Sequence, residues 1–180
     1  MLKKIILAVL LLMGIFLIYV AFVPGEYNIK REIIIDSPAT NIFPYLVNVK
    51  KADEWMPWKE QDPQLVMTYS DPAEGKGAMS SWDSKGNMGQ GKAEIIEVIP
   101  NQKVVTKINF AKPMEFQQMS YFSLQQISDK QTTMIWSVEG KNTYISRLIC
   151  TIGLVNMDKY VGNEFEKGLK KLKNIVELAK

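Results

Sequence analysis

Ile5 through Val23 is an uninterrupted run of nineteen residues without a charge, preceded by Met1, Leu2, Lys3 and Lys4. As a helix rising 1.5 Å per residue it spans roughly 28 Å, close to the hydrocarbon thickness of a bilayer. Fourteen of its residues are Leu, Ile, Val or Phe. Each of these favours insertion by about 0.3 to 0.6 kcal/mol near a helix centre, so the summed preference is several kcal/mol. A cleaved signal peptide is the competing reading. Such peptides have an apolar core of about 7 to 15 residues and a small-x-small cleavage site, whereas this run is longer and ends Val20, Ala21, Phe22, Val23, Pro24. The expectation is therefore an uncleaved anchor over residues 1–25. Lys3, Lys4 and the amino terminus favour the cytoplasmic side, although Lys30 and Arg31 beyond the far end weaken the asymmetry. This places the following domain, residues 26–180, outside the cytoplasm at the cell (inner) membrane.

The rest of the chain is long enough for one core and too short for two sizeable ones. Of 22 Lys and Arg against 19 Asp and Glu, Lys3 and Lys4 supply most of the excess, so the domain is nearly neutral. It lacks the one-sided positive field of a nucleic-acid binder. There is no histidine, which removes Ser-His-Asp and Cys-His catalysis and every His-containing zinc or haem site. The single cysteine, Cys150, forms no internal disulfide and lies in an apolar stretch that suggests a small buried side chain. No metal and no cofactor is expected.

Ile29, Ile33 and Ile35 alternate with Lys30, Glu32 and Asp36, which predicts a half-buried strand. Asp36, Ser37 and Pro38 then supply a cap candidate and a first-turn proline for a short helix carrying Ile42, Phe43, Leu46 and Val47. Asn48 to Asp62 is polar and broken by Pro57, so it reads as a turn or second short helix followed by a loop. Six strands follow between Leu65 and Glu139, punctuated by Asp71-Pro72, Ser84 to Asn87, Pro100-Asn101, Lys112-Pro113 and Ser128 to Lys130. Gly89 and Gly91 read as a bulge or bend rather than a phosphate loop. Tyr144 to Val155 is a short helix or a cover over an opening. Met157, Val161, Phe165, Gly168, Leu172, Val176 and Ala179 recur at steps of three or four and predict one long C-terminal helix. The fold class is α+β, a seven-stranded antiparallel sheet with a long helix on one face.

Several local patterns in this order resemble one family. They are Ile35, Asp36, Ser37, Pro38 before Ile42-Phe43; Trp55, Pro57, Trp58 before Asp62-Pro63; Gly77-Ala78 with Trp82; Gly89 and Gly91; Trp136 before Gly140; and Phe165, Gly168, Leu169, Leu172, Lys173. Together they resemble the START and polyketide-cyclase (SRPBCC) superfamily, particularly its membrane-anchored bacterial members of polyketide cyclase or dehydrase type, over roughly Tyr27 to Leu178. The resemblance implies a helix-grip fold, with a curved sheet around the C-terminal helix and a hydrophobic ligand cavity between them. It does not imply a reaction.

The residues expected to line such a cavity are Trp55, Trp58, Met67, Tyr69, Trp82, Phe116, Phe122, Trp136, Phe165 and Gly168. Aromatic side chains supply large apolar area at small entropy cost, and methionine adapts to irregular ligands. The blander alternative is ordinary core packing, even for Trp55 and favoured for Trp58. The carboxylates Asp53, Glu54, Glu60, Asp62, Glu97, Glu115 and Glu139, with Tyr121, form no recognisable catalytic pair. Tyr69 and Glu139 are the polar groups expected nearest the cavity. No residue is singled out as catalytic. The favoured reading is membrane-anchored binding of a lipid or other hydrophobic small molecule. A cyclase or dehydrase acting on a polyketide-like substrate is the alternative, and a protein-interaction module with a filled core comes third.

Overall fold

The computed structural model describes residues 1–86, 88–154 and 156–179. Asn87 in the turn expected from Ser84, and Val155 at the end of the apolar stretch from Tyr144, lie outside the described residues.

Helix α1 (Leu2–Phe22) contains an 18-residue stretch with a mean hydropathy of 3.0 and is almost wholly exposed. It is long and apolar enough to cross a membrane or to serve as a signal sequence. The chain then enters β1 (Glu26–Ile35), four short helices α2 (Ala39–Ile42), α3 (Pro44–Val47), α4 (Val49–Trp55) and α5 (Trp58–Gln61), and strands β2 (Val66–Tyr69) and β3 (Met79–Asp83). Strands β4 (Gln90–Ile99), β5 (Lys103–Lys112), β6 (Phe116–Ser128) and β7 (Gln131–Lys141) follow, then α6 (Tyr144–Thr151) and α7 (Met157–Leu178). The seven strands form one antiparallel sheet in the order β1-β7-β6-β5-β4-β3-β2.

The segment between β1 and β2 differs from expectation. Pro38 precedes α2 rather than opening it, and Ser37 makes no cap bond. Ser37 is instead buried, with its carbonyl accepting from Thr132 Oγ1 at 2.8 Å and its hydroxyl accepting from Asn41 Nδ2 at 3.1 Å. The single helix expected over Ile42 to Val47 is split at Pro44, which has no N–H to continue the ladder. Asn48 caps α4, its Oδ1 accepting from the Lys50 and Lys51 amides at 3.0 and 3.2 Å. Val49, Ala52 and Trp55 bury one face of this otherwise charged helix, and that spacing makes a short amphipathic turn of helix from a segment of loop-like composition.

Helix α7 lies along β1 on the concave face, burying Phe165, Gly168, Leu169, Leu172 and Val176 against the sheet. Arg31 occupies the inward parity of β1 with Ile29 and Ile33. Its guanidinium reaches Asp158 and Glu166 at 3.1 Å. Bonding to Asp158 raises the guanidinium pKa and holds the carboxyl below its usual range. Gly162 makes the approach possible, since a Cβ there would stand 2.0 Å from Arg31 Nη2.

The glycine pair in β4 behaves as expected of a bend. The register shifts between Gln90 and Gly91, and a Cβ on Gly91 would lie 2.3 Å from the Trp82 ring and 2.6 Å from the Asn109 carbonyl oxygen. Gly91→Ala should therefore overpack the sheet and destabilise the chain by about 1 to 3 kcal/mol, visible as a lower midpoint in urea denaturation followed by tryptophan fluorescence.

Candidate ligand cavity

Two groups of aromatic side chains sit around the space between sheet and helix. In the first, Trp136 stacks on Phe165 with ring centres 3.8 Å apart and planes at 9°, while Trp55 and Trp58 meet it edge-on at 5.2 and 6.1 Å. Phe122 closes the group at 5.5 Å from Trp136. In the second, Phe110 stacks on Phe116 at 4.1 Å and takes the edge of Trp82 at 5.3 Å. Both groups contribute walls to one cavity of about 470 Å³, completed by aliphatic side chains such as Ile29, Ile95, Ile108 and Val138. That volume and lining suit a small-molecule site.

Seven of the ten expected residues line the cavity: Trp58, Met67, Trp82, Phe116, Phe122, Trp136 and Phe165. The structure does not bring Trp55, Tyr69 or Gly168 to its wall. Trp55 is fully buried behind Trp136 and Phe122, its indole N–H donating to the Tyr45 carbonyl at 3.0 Å. Both tryptophans were expected at the cavity; the chain turns at Pro57 and brings Trp58, not Trp55, to its wall. Gly168 is a packing glycine, with a built Cβ 3.1 Å from Trp136, 3.3 Å from Pro57 and 3.4 Å from the Trp55 carbonyl oxygen. Glu139 lies on the outer face, accepting from Asn28 Nδ2 at 2.9 Å, because Trp136 and Val138 take the inward parity of β7. Cys150 in α6 is partly exposed rather than buried.

Polar groups reach the cavity at places that the sequence reading missed. The Tyr27 hydroxyl donates to Gln118 Oε1 at 2.7 Å, and Trp136 Nε1 donates to Ser120 Oγ at 3.1 Å. Gly140, paired with Tyr27 across the strands, leaves room for its ring; a Cβ there would lie 2.4 Å from the hydroxyl oxygen. The legible signal was parity. Gln118 and Ser120 share the inward face of β6 with Phe116 and Phe122, a polar insertion in an apolar stripe. Asp53 also lines the cavity, but Lys59 Nζ holds its carboxylate at 2.7 Å and the Tyr69 hydroxyl donates to it. A second depression of about 630 Å³ lies open on the outer face of β4 and β5, where Lys92, Glu94, Lys107 and Asn109 make a polar wall.

This architecture is shared with solved structures. Norcoclaurine synthase from Thalictrum flavum superposes with a TM-score of 0.65 at 10% identity, covering 87% of this chain and 97% of that one. The chain has a helix-grip fold, the fold of these structures. The di-domain ARO/CYC StfQ from the steffimycin biosynthetic pathway gives 0.62 at 11% identity, covering 86% of this chain and 52% of that one. A protein from Chromobacterium violaceum gives 0.58 at 11% identity, covering 83% and 96%. At these identities the likeness is one of fold. No protein-family model matches the sequence, and none of the curated proteins matches it.

Two outcomes follow from the geometry. Gly168→Leu should push α7 off Trp136 and Pro57, lowering stability by about 1 to 3 kcal/mol, measured as a fall in Tm. Burial raises the pKa of the Tyr27 phenol. The unfolded phenol ionises near pH 10 and the folded one above it, so the stability tied to the protonated form holds below about pH 10 and is lost as pH rises through the folded value. Tyr27→Phe should cost about 1 kcal/mol at pH 7 through the lost bond to Gln118. In denaturation series from pH 7 to 11, the gap between the two proteins should narrow at the alkaline end.

Proposed function

We propose that this chain binds a hydrophobic or amphiphilic small molecule in the cavity between the sheet and α7, as a domain over residues 26–180 held at a membrane by an uncleaved anchor over residues 1–25. The cavity carries the proposal: about 470 Å³ of space, walled mainly by aromatic and aliphatic side chains, remains beside a core that is otherwise filled. Burying an apolar ligand there is favourable in proportion to the area removed from water, about 25 cal/mol per Å². Tyr27, Gln118 and Ser120 offer donors and acceptors for one polar group on an otherwise apolar ligand. Support also comes from the fold, since norcoclaurine synthase has been solved in complex with dopamine and hydroxybenzaldehyde.

Helix α1 supports the anchor reading by its length, about 31 Å at 1.5 Å per residue, and by the exposure of nearly all its side chains. The lysines at its start favour an extracytoplasmic domain at the inner membrane.

Cyclase or dehydrase chemistry on a polyketide-like substrate is a second reading, favoured by the Tyr27, Gln118 and Ser120 group and by the likeness to StfQ. Its difficulty is the proton carrier. The phenol is kept protonated, and the carboxylate beside the cavity is already held by a lysine and a tyrosine hydroxyl.

The test is to fill the cavity. Ala93 on β4 lines it, and Ala93→Phe should weaken binding of a fluorescent fatty acid to the full-length chain in nanodiscs at least tenfold without lowering Tm by more than a few degrees. Undiminished binding by the folded variant would place the ligand elsewhere.

A further inference from the structure

Helix α6 is fastened to the end of α1. The Tyr144 hydroxyl donates to the Leu17 carbonyl at 2.8 Å, and Arg147 Nη1 donates to the carbonyls of Ala21 and Val23 at 3.1 and 3.0 Å. The Ala21 and Val23 carbonyls lie at the end of α1, where helical acceptors lack partners and a cation is favoured by the helix dipole, while the Leu17 carbonyl lies about one turn further in. If α1 spans the bilayer, its last turns lie at the lipid–water boundary and α6 lies there with them. Leu17 is five residues before the end of α1, so Tyr144 reaches about 8 Å back along the span. Interfacial helices bury their apolar faces about 5 to 10 Å into this zone, and tyrosine and arginine are characteristic anchors of it.

The outward surface of this segment is apolar. Ile145, Ile149 and Ile152 recur at i, i+4 and i+7, and Ile145, Ile152 and Leu154 are 53%, 50% and 71% exposed. Another side of α6 faces the cavity, where Thr143 and Ser146 contribute to the wall.

The strand registers place the cavity opening at the same end of the sheet. Its exposed lining residues include Lys112 and Pro113 at the β5–β6 turn and Lys141 at the end of β7. Glu26 pairs with Lys141, Gln118 with Gly140, and Gln90 with Lys112. These ends of β1, β7, β6, β5 and β4 therefore lie together where α1 delivers the chain to β1.

We propose that α6 and the turn after it, residues 144–154, lie in the membrane interface, so that the cavity opens onto the lipid leaflet and takes an amphiphile from it. This rests on the anchored, ligand-binding reading above. The occupant of the apolar surface is a phospholipid leaflet, because hydrogen bonds tie the surface to the span itself.

The test uses the full-length chain in phospholipid vesicles, in a Cys150→Ser background, with an environment-sensitive fluorophore on Ile152→Cys or on Ile127→Cys. Ile127 is 53% exposed near the β6–β7 hairpin, at the opposite end of the sheet. The label at 152 should be quenched by acyl-chain spin-labelled lipid several-fold more than the label at 127, and by aqueous iodide at least threefold less. Equal iodide quenching at the two sites would overturn the proposal. Shielding from iodide without lipid quenching would also overturn it, since protein and not lipid would then cover α6. The paired change Ile152→Glu with Leu154→Glu should slow pickup of a fluorescent fatty acid from vesicles about tenfold, leaving its equilibrium affinity within twofold. Unchanged pickup would contradict loading through this surface. Depth is read without ligand, so a wild-type chain that sits in lipid but binds no fatty acid would fail the cavity reading alone.

Discussion

The stack of Trp136 on Phe165 joins the middle of β7, next to the edge strand β1, to the middle of the long helix, and the placement of both depends on it. With Trp55 and Trp58 edge-on to Trp136 and Phe122 beside it, this contact fixes how closely α7 can approach the sheet. Aromatic pairs in edge and offset geometries add about 0.5 to 1.5 kcal/mol beyond their buried area. Gly168 admits the rings at the contact, and Gly162 admits the Arg31 guanidinium nearer the start of α7. Toward the end of the sheet where α1 enters, the walls are no longer in contact, and cavity replaces core.

Much of this was legible in the chain because periodicity reports burial directly. The β1 alternation of Ile29, Ile33 and Ile35 and the three-and-four spacing of α7 both come from one-sided burial against one core. The bend at Gly89 and Gly91 was also readable, since a glycine pair in a strand pattern has few other uses. The uncharged run to Val23 announced its helix by length alone.

What escaped the sequence was long-range. Nothing near Trp55 and Pro57 says which of two neighbouring tryptophans meets the cavity, because that depends on Trp136, about eighty positions away. Gly168 lay on the right helical stripe, yet its role came from Trp136 and Pro57 rather than from empty space. Glu139 was assigned inward, and the parity set by Trp136 and Val138 turns it out. In the sequence, Arg147 is a lone charge in the mostly apolar run from Tyr144. Its partners are the carbonyls of Ala21 and Val23, whose availability depends on where α1 ends. The polar group formed by Tyr27, Gln118 and Ser120 was hidden in the same way, by register across β1, β7 and β6.

The central claim is that the space beside the Trp136 stack is a ligand site. Native mass spectrometry of the full-length chain, released from nanodiscs made with its host's lipid extract, measures this most directly. The account predicts a reproducible adduct of a few hundred daltons that survives release and is displaced by a competing fatty acid. A bare protein mass under gentle release, with no uptake from the extract across a range of lipid concentrations, would contradict it.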